Sequence, residues 1–335
     1  MSDRYSRQER FAPIGFSGQA KLAAARVAII GCGALGTAIA EQLCRAGVGY
    51  LRLIDRDFVE WSNLQRQSLY SEEDARQSLP KAIAAAARLR VVNSSCAIEP
   101  MVEDLRAANA VNLLTGVDLV LDGCDNFPTR HLVNEACCQL RTPWIYGACV
   151  GSYGLSVAII PGETPCLRCL QDELPNAGES PTCDTAGIIP PAVHLVASWQ
   201  VAEALKILVG DRASVRREMW ASDVWRGTFQ RLRMDDWRQP SCVVCGSAPS
   251  FPLLTAGDEA VVVLCGRDAV QIRRGVVNLH ALTKTVGPAL RLANDYLVRW
   301  QDGPLTATCF KDGRVIVQGV ADAAAARTFC DRWLG

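Results

Sequence analysis

The sequence predicts an α/β fold: a doubly wound, mostly parallel sheet, followed by a zinc-stabilised segment and a small C-terminal α+β domain. Three observations predict it. Residues 27–57 read as strand, glycine turn, helix and second strand: the apolar run Val27–Ile30 stops at Gly31-Cys32-Gly33-Ala34-Leu35-Gly36, helix-like sequence continues to Gly47, and the run Leu51–Ile54 ends in Asp55, nineteen residues beyond Gly36. Short apolar strands then alternate with helix-like stretches as far as Tyr146, which calls for parallel strands with helices on both faces. Two CxxC pairs, Cys166/Cys169 and Cys242/Cys245, mark the region that follows.

The 335 residues suffice for two domains of about 150 residues each. Apolar residues make up 49% and charged residues 21%, as in globular proteins, and 35 basic residues balance 35 acidic ones. Without net charge there is no global field for nucleic acid or an anionic membrane, so an anionic ligand must be met by local charges. The N-terminus MSDRYSRQER lacks a signal-like apolar segment, and no run is read as the ~20 apolar residues of a membrane span. The expected location is the cytosol. There the fifteen cysteines serve as thiols, metal ligands or catalytic groups in preference to disulfides.

In chain order, residues 18–25 are expected as a short helix, and Arg4–Gln8 as a mobile arm or a solvated terminus. The polar stretch after Asp55, with Trp61, Leu64 and Tyr70 interleaved, suits a loop folded over a pocket. Pro80-Lys81 opens an alanine-rich helix over 81–92. A strand is expected over 98–102, a helix over 105–114, a strand over 118–122, a helix over 128–140 and a strand from Trp144 into the glycine-rich GACVGSYG. An apolar helix covers 192–209, and His194 on it reads as a core histidine. The domain break is placed between 250 and 251. Strands follow, with Lys311-Asp312-Gly313 as a hairpin turn and a closing helix over 321–333.

Glycines let a backbone approach phosphate, a helix N-terminus offers unpaired N–H groups, and an acid at the next strand end accepts a ribose hydroxyl. Gly31, Gly33, Gly36 and Asp55 therefore form a candidate nucleotide site; the alternative is a turn that only packs helix on strand. Ligands lie beyond the carboxyl ends of such strands, so the glycine turn, Asp55 and Asp125 should converge on one crevice. Arg66 and Lys81 supply cations for phosphates, and Asp125 an oxygen ligand for Mg2+. The alternative makes both cations solvated and Asp125 a helix N-cap. Four thiolates in two CxxC pairs suit a closed, structural zinc site, although 72 residues separate Cys169 from Cys242; each pair alone could be a redox motif or buried cysteine. Cys183, in the polar stretch ESPTCDTAG, is a candidate nucleophile without a neighbouring cation to activate it.

Taken together and in order, RYSRQ, GCGALG, LIDRD, WSNLQRQ, LPKA, GCDN, PCLRC, TCDTAG and CVVCG, spread over residues 4–247, resemble the ThiF/MoeB family of adenylyltransferases, relatives of the ubiquitin-activating enzymes. The resemblance implies a Rossmann-like adenylation domain that uses ATP and Mg2+ to adenylate the C-terminal glycine of a small ubiquitin-like sulfur-carrier protein. It implies that the Gly33 loop lies against the nucleotide, that Asp55 binds ribose, and that Ser62, Asn63, Gln65, Arg66 and Lys81 hold phosphates. Asp125 becomes the Mg2+ ligand and main catalytic residue, with Asn126 beside it. Arg7 becomes an arginine that reaches a neighbouring subunit's site in a homodimer. Cys166, Cys169, Cys242 and Cys245 match the zinc ligands, and Cys183 a position that in some members links covalently to the carrier.

Residues 251–335 do not resemble a sulfurtransferase domain. LCGRDAVQI and KDGRVIVQG are similar to the extension of longer bacterial ThiF-type proteins, which favours a ThiS-type carrier of the thiamine pathway over a MoaD-type carrier of molybdopterin synthesis. A cysteine desulfurase or another sulfur donor is an expected partner; nucleic acid and membrane are not. Two readings from other classes stay open: a zinc-stabilised nucleotide-binding scaffold, and a nicotinamide oxidoreductase.

Overall fold

Strand β1 (Arg26–Ile30) is central because both of its faces are apolar. Val27 and Ile29 enter one core cluster with Ile39, Leu43 and Val196, while Ala28 and Ile30 enter another with Val120, Val133 and Trp144. A strand buried on both faces needs helices on both sides. The remaining strands of its sheet are β2 (Tyr50–Ile54), β3 (Ala97–Met101), β4 (Leu119–Asp122), β5 (Trp144–Val150), β6 (Tyr153–Ile159), β7 (Glu218–Asp223) and β8 (Thr228–Arg233). Their order is β3-β2-β1-β4-β5-β6-β7-β8 in the computed structural model, which describes residues 3–172, 183–256, 261–264, 269–320 and 322–334.

Four pairings, from β3 to β5, are parallel and three, from β5 to β8, antiparallel, so parallel pairing dominates but does not extend across the sheet. The change occurs at Gly151-Ser152, where Gly151 has φ 61° and Val150 faces Tyr153 across a two-residue turn. Helices α1 (Gly15–Ala24), α2 (Ala34–Ala46), α3 (Lys81–Val92), α4 (Phe127–Leu140) and α5 (Pro190–Val209) cover this sheet. α2, α3 and α5 contribute to the first cluster and α4 to the second. α2 ends at Gly47, whose φ of 84° lets its N–H return to the carbonyls of Leu43 and Cys44.

Several expectations change in the folded chain. Helix 105–114 is confined to Ala110–Leu114, because the Asn109 side chain accepts the Arg106 N–H at 2.8 Å and closes a local turn. The segment expected as a mobile arm is helical over Ser6–Glu9 and docked: Tyr5 Oη accepts from Asn93, and Gln8 Nε2 donates to Gln19 and, at 2.8 Å, to the Ala46 carbonyl. His194 is exposed with Pro191 and Ser198 on the outer stripe of α5, so it is no core histidine. α5 is also long and apolar enough, by length and composition, to cross a membrane. It is a core helix here, packed on α2, β5 and β6 with Gln200 and Glu203 buried and hydrogen-bonded.

The described residues fall into two compact units, the first containing 3–172 and 186–256 and the second 183–185, 261–264, 269–320 and 322–334. The first unit runs past the expected 250/251 break because the backbone N–H groups of Leu253 and Leu254, at the start of the short helix Pro252–Thr255, donate to Glu135 of α4. The second unit is an antiparallel sheet of β9 (Val261–Leu264), β10 (Ala269–Arg273), β11 (Leu290–Ala293), β12 (Leu297–Asp302), β13 (Leu305–Phe310) and β14 (Arg314–Gln318), ordered β11-β12-β13-β14-β10-β9. Val270, Trp300, Val317 and Phe329 belong to its core, together with residues of α6 (Leu279–Val286) and α7 (Ala323–Leu334). The turn at Gly313, φ 83°, forms where the sequence placed it; β11 and α6 are not apparent from the pattern.

On α4, His131 is 2% exposed and its Nε2 has no hydrogen-bond partner among the described residues. Burial, aided by the charge of Arg168, pushes its pKa down to about 4. The unfolded chain's imidazole takes up a proton below about pH 6.5, whereas the folded one resists protonation until about 4. Acid therefore favours unfolding across that window, by about 3 kcal/mol at its end. Urea midpoints measured from pH 7 to pH 4 should fall more steeply for the wild type than for His131→Leu; parallel profiles would refute the assignment.

Candidate active site and metal centre

The crevice is built at the carboxyl ends of β1, β2 and β4. Gly31, φ 86°, turns the chain out of β1, and Gly33 is the N-cap of α2. A Cβ on Gly36 would lie 1.8 Å from the Gly31 carbonyl oxygen, and one on Gly123 would lie 2.5 Å from the same atom. Only glycines allow this approach. It brings the N-terminus of α2 beside the 123–126 loop, so the glycine turn and Asp125 share one crevice with Asp55.

Asp55 is 9% exposed and already engaged: Oδ2 accepts from Cys32 N at 2.6 Å and Oδ1 from Asp57 N at 2.6 Å. Burial raises its pKa above the usual carboxylate range, opposed by the nearby Lys81 charge and these two N–H groups. Each carboxylate oxygen keeps a further lone pair for a ribose hydroxyl. Lys81, 7% exposed, starts α3 with its N–H on the Asp57 carbonyl at 2.9 Å and its Nζ 3.8 Å from the Asp57 carboxylate.

Residues 58–70 close over this turn. Tyr70 Oη donates to the Cys32 carbonyl at 2.6 Å, and Val59 N to Leu79 O at 2.8 Å. Asn63 is buried, with Oδ1 accepting the Glu60 N–H. Ser62 and Gln65 are exposed, and Gln65 Nε2 donates to Ile188 O at 3.4 Å. Arg66 is half-buried and donates to the Ser62 carbonyl at 2.8 Å, which fixes its side chain to its own loop.

Asp125 is exposed, and the N-cap of α4 is Asn126, whose Oδ1 accepts from Thr129 N at 2.9 Å. The capping alternative for Asp125 is thereby removed. Beneath the loop lies a buried pair that sequence reasoning missed: Arg130 Nε donates to Asp122 at 3.0 Å, while Arg130 Nη2 bonds the Cys124 carbonyl at 2.7 Å. Its one signal is the spacing of Arg130, a helical turn after Asn126. Arg56 was also missed; it bonds Asp104 at 2.9 Å, and its charge acts on Asp57 and, more weakly, Asp125.

Arg7 lies elsewhere. It is exposed, with Nη1 on Ser6 Oγ at 3.1 Å, next to Gln8, which is anchored at the C-terminal end of α2. The glycine turn is at the other end of that helix, about 18 Å away at 1.5 Å per residue. The backbone of Cys183 begins the short helix Cys183–Ala186, and its side chain lies outside the described residues. A cleft of about 420 Å³ lined by Lys21, Asp118, Ile207 and Arg212 opens at the opposite, amino-terminal strand edge, away from this chemistry.

The two CxxC pairs meet despite their separation. Cys166 Sγ is 4.0 Å from that of Cys169 and 3.7 Å from that of Cys242, Cys169 is 3.4 Å from Cys245, and all four sulfurs lie within 4.8 Å of one another. Tetrahedral zinc with Zn–S of about 2.3 Å needs sulfurs about 3.8 Å apart. The cluster could hold zinc with no coordination position left open. Metal analysis should find about one zinc per chain, and Cys169→Ser should lose it and melt about 5 °C lower or more; full zinc retention with unchanged melting would exclude the site.

The model of the ThiF family matches residues 5–244. The chain is 45% identical, over 100% of both chains, to the sulfur carrier protein ThiS adenylyltransferase of Bacillus subtilis. It is 37% identical to the sulfur carrier protein adenylyltransferase of Thermus thermophilus, over 74% of this chain and 92% of that one. Its fold is similar to that of E. coli MccB, with a TM-score of 0.63 at 23% identity over 73% of this chain and 76% of that one. A family match over most of the first unit, spanning the crevice and three of the four clustered cysteines, leads to one conclusion: the chain belongs to the ThiF family.

Proposed function

We propose that this protein adenylates the C-terminal glycine of a small ubiquitin-like sulfur-carrier protein, of the ThiS type in preference to the MoaD type, in the cytosol. The observation that carries the reading is full-length similarity to a ThiS adenylyltransferase, residues 251–335 included, in a chain whose glycine turn packs against the Gly123 backbone and whose Asp55 lies near the Lys81 charge. That similarity also removes the footing of a nicotinamide oxidoreductase.

A carrier carboxylate oxygen attacks the α-phosphorus of ATP, the bond between the α- and β-phosphates breaks, and pyrophosphate leaves with its electron pair. The acyl-adenylate remains. No general base is required, because a carboxylate is ionised near neutral pH. Lys81 and Arg66 neutralise the approaching anions and the departing pyrophosphate, while the N-terminus of α2 supplies N–H groups to a phosphate. Asp55 holds the ribose. Asp125, with Asn126 beside it, is the ligand for Mg2+, which supplies further charge stabilisation when bound. The later sulfur comes from a cysteine desulfurase or another donor, and Cys183 is available for a covalent link to the carrier.

Carrier-dependent exchange of labelled pyrophosphate into ATP is the direct test. Exchange with a Gly-Gly-ending ThiS-type carrier supports the reading, exchange with a MoaD-type carrier alone moves it to the molybdopterin pathway, and exchange with neither would falsify it.

The 18 Å between the Arg7 segment and the glycine turn of its own chain, about the length of α2, supports a role in the neighbouring subunit of a homodimer. Arg7→Ala and Asp125→Ala should each be inactive. Mixed in equal amounts with subunit exchange, they should recover about a quarter of wild-type exchange, since half the dimers then contain one intact site of two. No recovery despite demonstrated exchange of subunits would count against the role of Arg7 in the neighbouring subunit's site.

A further inference from the structure

α4 carries four polar residues that are almost fully buried: Arg130 at 6%, His131 at 2%, Asn134 at 0% and Glu135 at 2%, in two adjacent pairs one helical turn apart. Burying such groups without partners costs about 1–3 kcal/mol each, so where their hydrogen bonds go is informative. Arg130 bonds toward the 122–126 loop, through Asp122 and the Cys124 carbonyl. Asn134 Oδ1 accepts Leu167 N at 2.8 Å, the N–H between zinc-ligand candidates Cys166 and Cys169. Glu135 Oε2 accepts Leu253 N at 2.8 Å and Leu254 N at 3.0 Å, from the segment that follows Cys242 and Cys245.

We propose that Asn134 and Glu135 are positioning residues that couple the four-thiolate site to Asp125 through α4. The helix is a strut about 21 Å long at 1.5 Å per residue. Its N-terminal end carries Asn126 and Asp125; its distal half is gripped from two sides by the chain segments that the thiolates join. Arg130 clasps the other end to the strand termini. Metal binding fixes the separation of Leu167 and Leu253, those N–H groups fix the roll and height of α4, and the helix sets where its capping loop holds Asp125. The thiolate site then acts on the geometry of the catalytic loop, beyond holding two segments of chain together.

The inference rests on the adenylation reading for its catalytic consequence, but its structural core is testable without turnover. Hydrogen exchange of residues 123–130 should accelerate about tenfold in zinc-stripped wild type and in Glu135→Leu, with β1 unchanged and with zinc content retained in the variant. Glu135→Gln, which keeps an acceptor oxygen, should restore wild-type protection. In the pyrophosphate assay, Glu135→Leu should lower kcat about tenfold and raise the Mg2+ concentration for half-maximal rate, with KM for ATP within about twofold. If Glu135→Leu does not fold, Asn134→Leu is read in the same way. Unchanged exchange at 123–130 in the zinc-stripped protein and the folded variant overturns the coupling. Faster exchange there in a protein that never incorporates pyrophosphate leaves the coupling standing and removes only the adenylation reading.

Discussion

The site depends on a contact among three backbones. Gly31, Gly36 and Gly123 meet where β1, α2 and β4 end or begin, at separations that leave no room for a Cβ. Any side chain there would push α2 off the sheet or move the 123–126 loop outward. The contact thus sets two things at once: the N–H groups of the α2 terminus are aimed into the crevice, and Asp125 is brought over from a strand whose sequence lies some ninety residues downstream. Gly123 N donating to the Ile30 carbonyl at 2.8 Å continues the β1–β4 ladder into the turn, so the close approach is an extension of sheet pairing.

Charge is arranged around that contact in a particular order. Asp55, Asp57, Asp104 and Asp125 gather near Arg56 and Lys81, and the most buried acid, Asp55, is the one whose ionisation burial opposes. Such a crevice does not attract a polyphosphate by cationic excess. On the proposed reading, the nucleotide arrives with its own divalent cation, and Lys81 and Arg66 are local counter-charges on an otherwise neutral molecule. The buried Asp122–Arg130 pair serves a different purpose. A pair of this kind contributes little net stability, but it satisfies the Cys124 N–H and carbonyl and so defines the path of the loop that bears Asp125.

Much of the fold was legible because its signals are local. The β1 turn, Pro80 before α3, the Gly47 cap and the Lys311-Asp312-Gly313 turn each follow from the stereochemistry of a few neighbouring residues. What escaped is what depends on partners distant in sequence. Helix 105–114 is the exception: it lost its first half to a side chain only three residues away that competes for the backbone. The N-terminal segment looked like an arm because the groups that dock it, Asn93, Gln19 and the Ala46 carbonyl, belong to other elements. His194 was expected in the core and is exposed, since helical periodicity in a uniformly apolar helix such as α5 does not say which face the sheet will cover.

The sequence by itself determined the family, the order of strand, glycine turn and helix, the identity of the thiolate set and the candidate charges Asp55, Arg66, Lys81 and Asp125, because each is written in residue types at short fixed spacings. Tertiary structure alone decided that Arg130, Asp122 and Tyr70 brace the crevice, and that α4 lies between the 123–126 loop and the thiolate cluster. It also decided that Arg7 sits at the far end of α2 from the glycine turn. These are distances between segments remote in the chain. They follow from how the two faces of the sheet are buried, which no local spacing encodes.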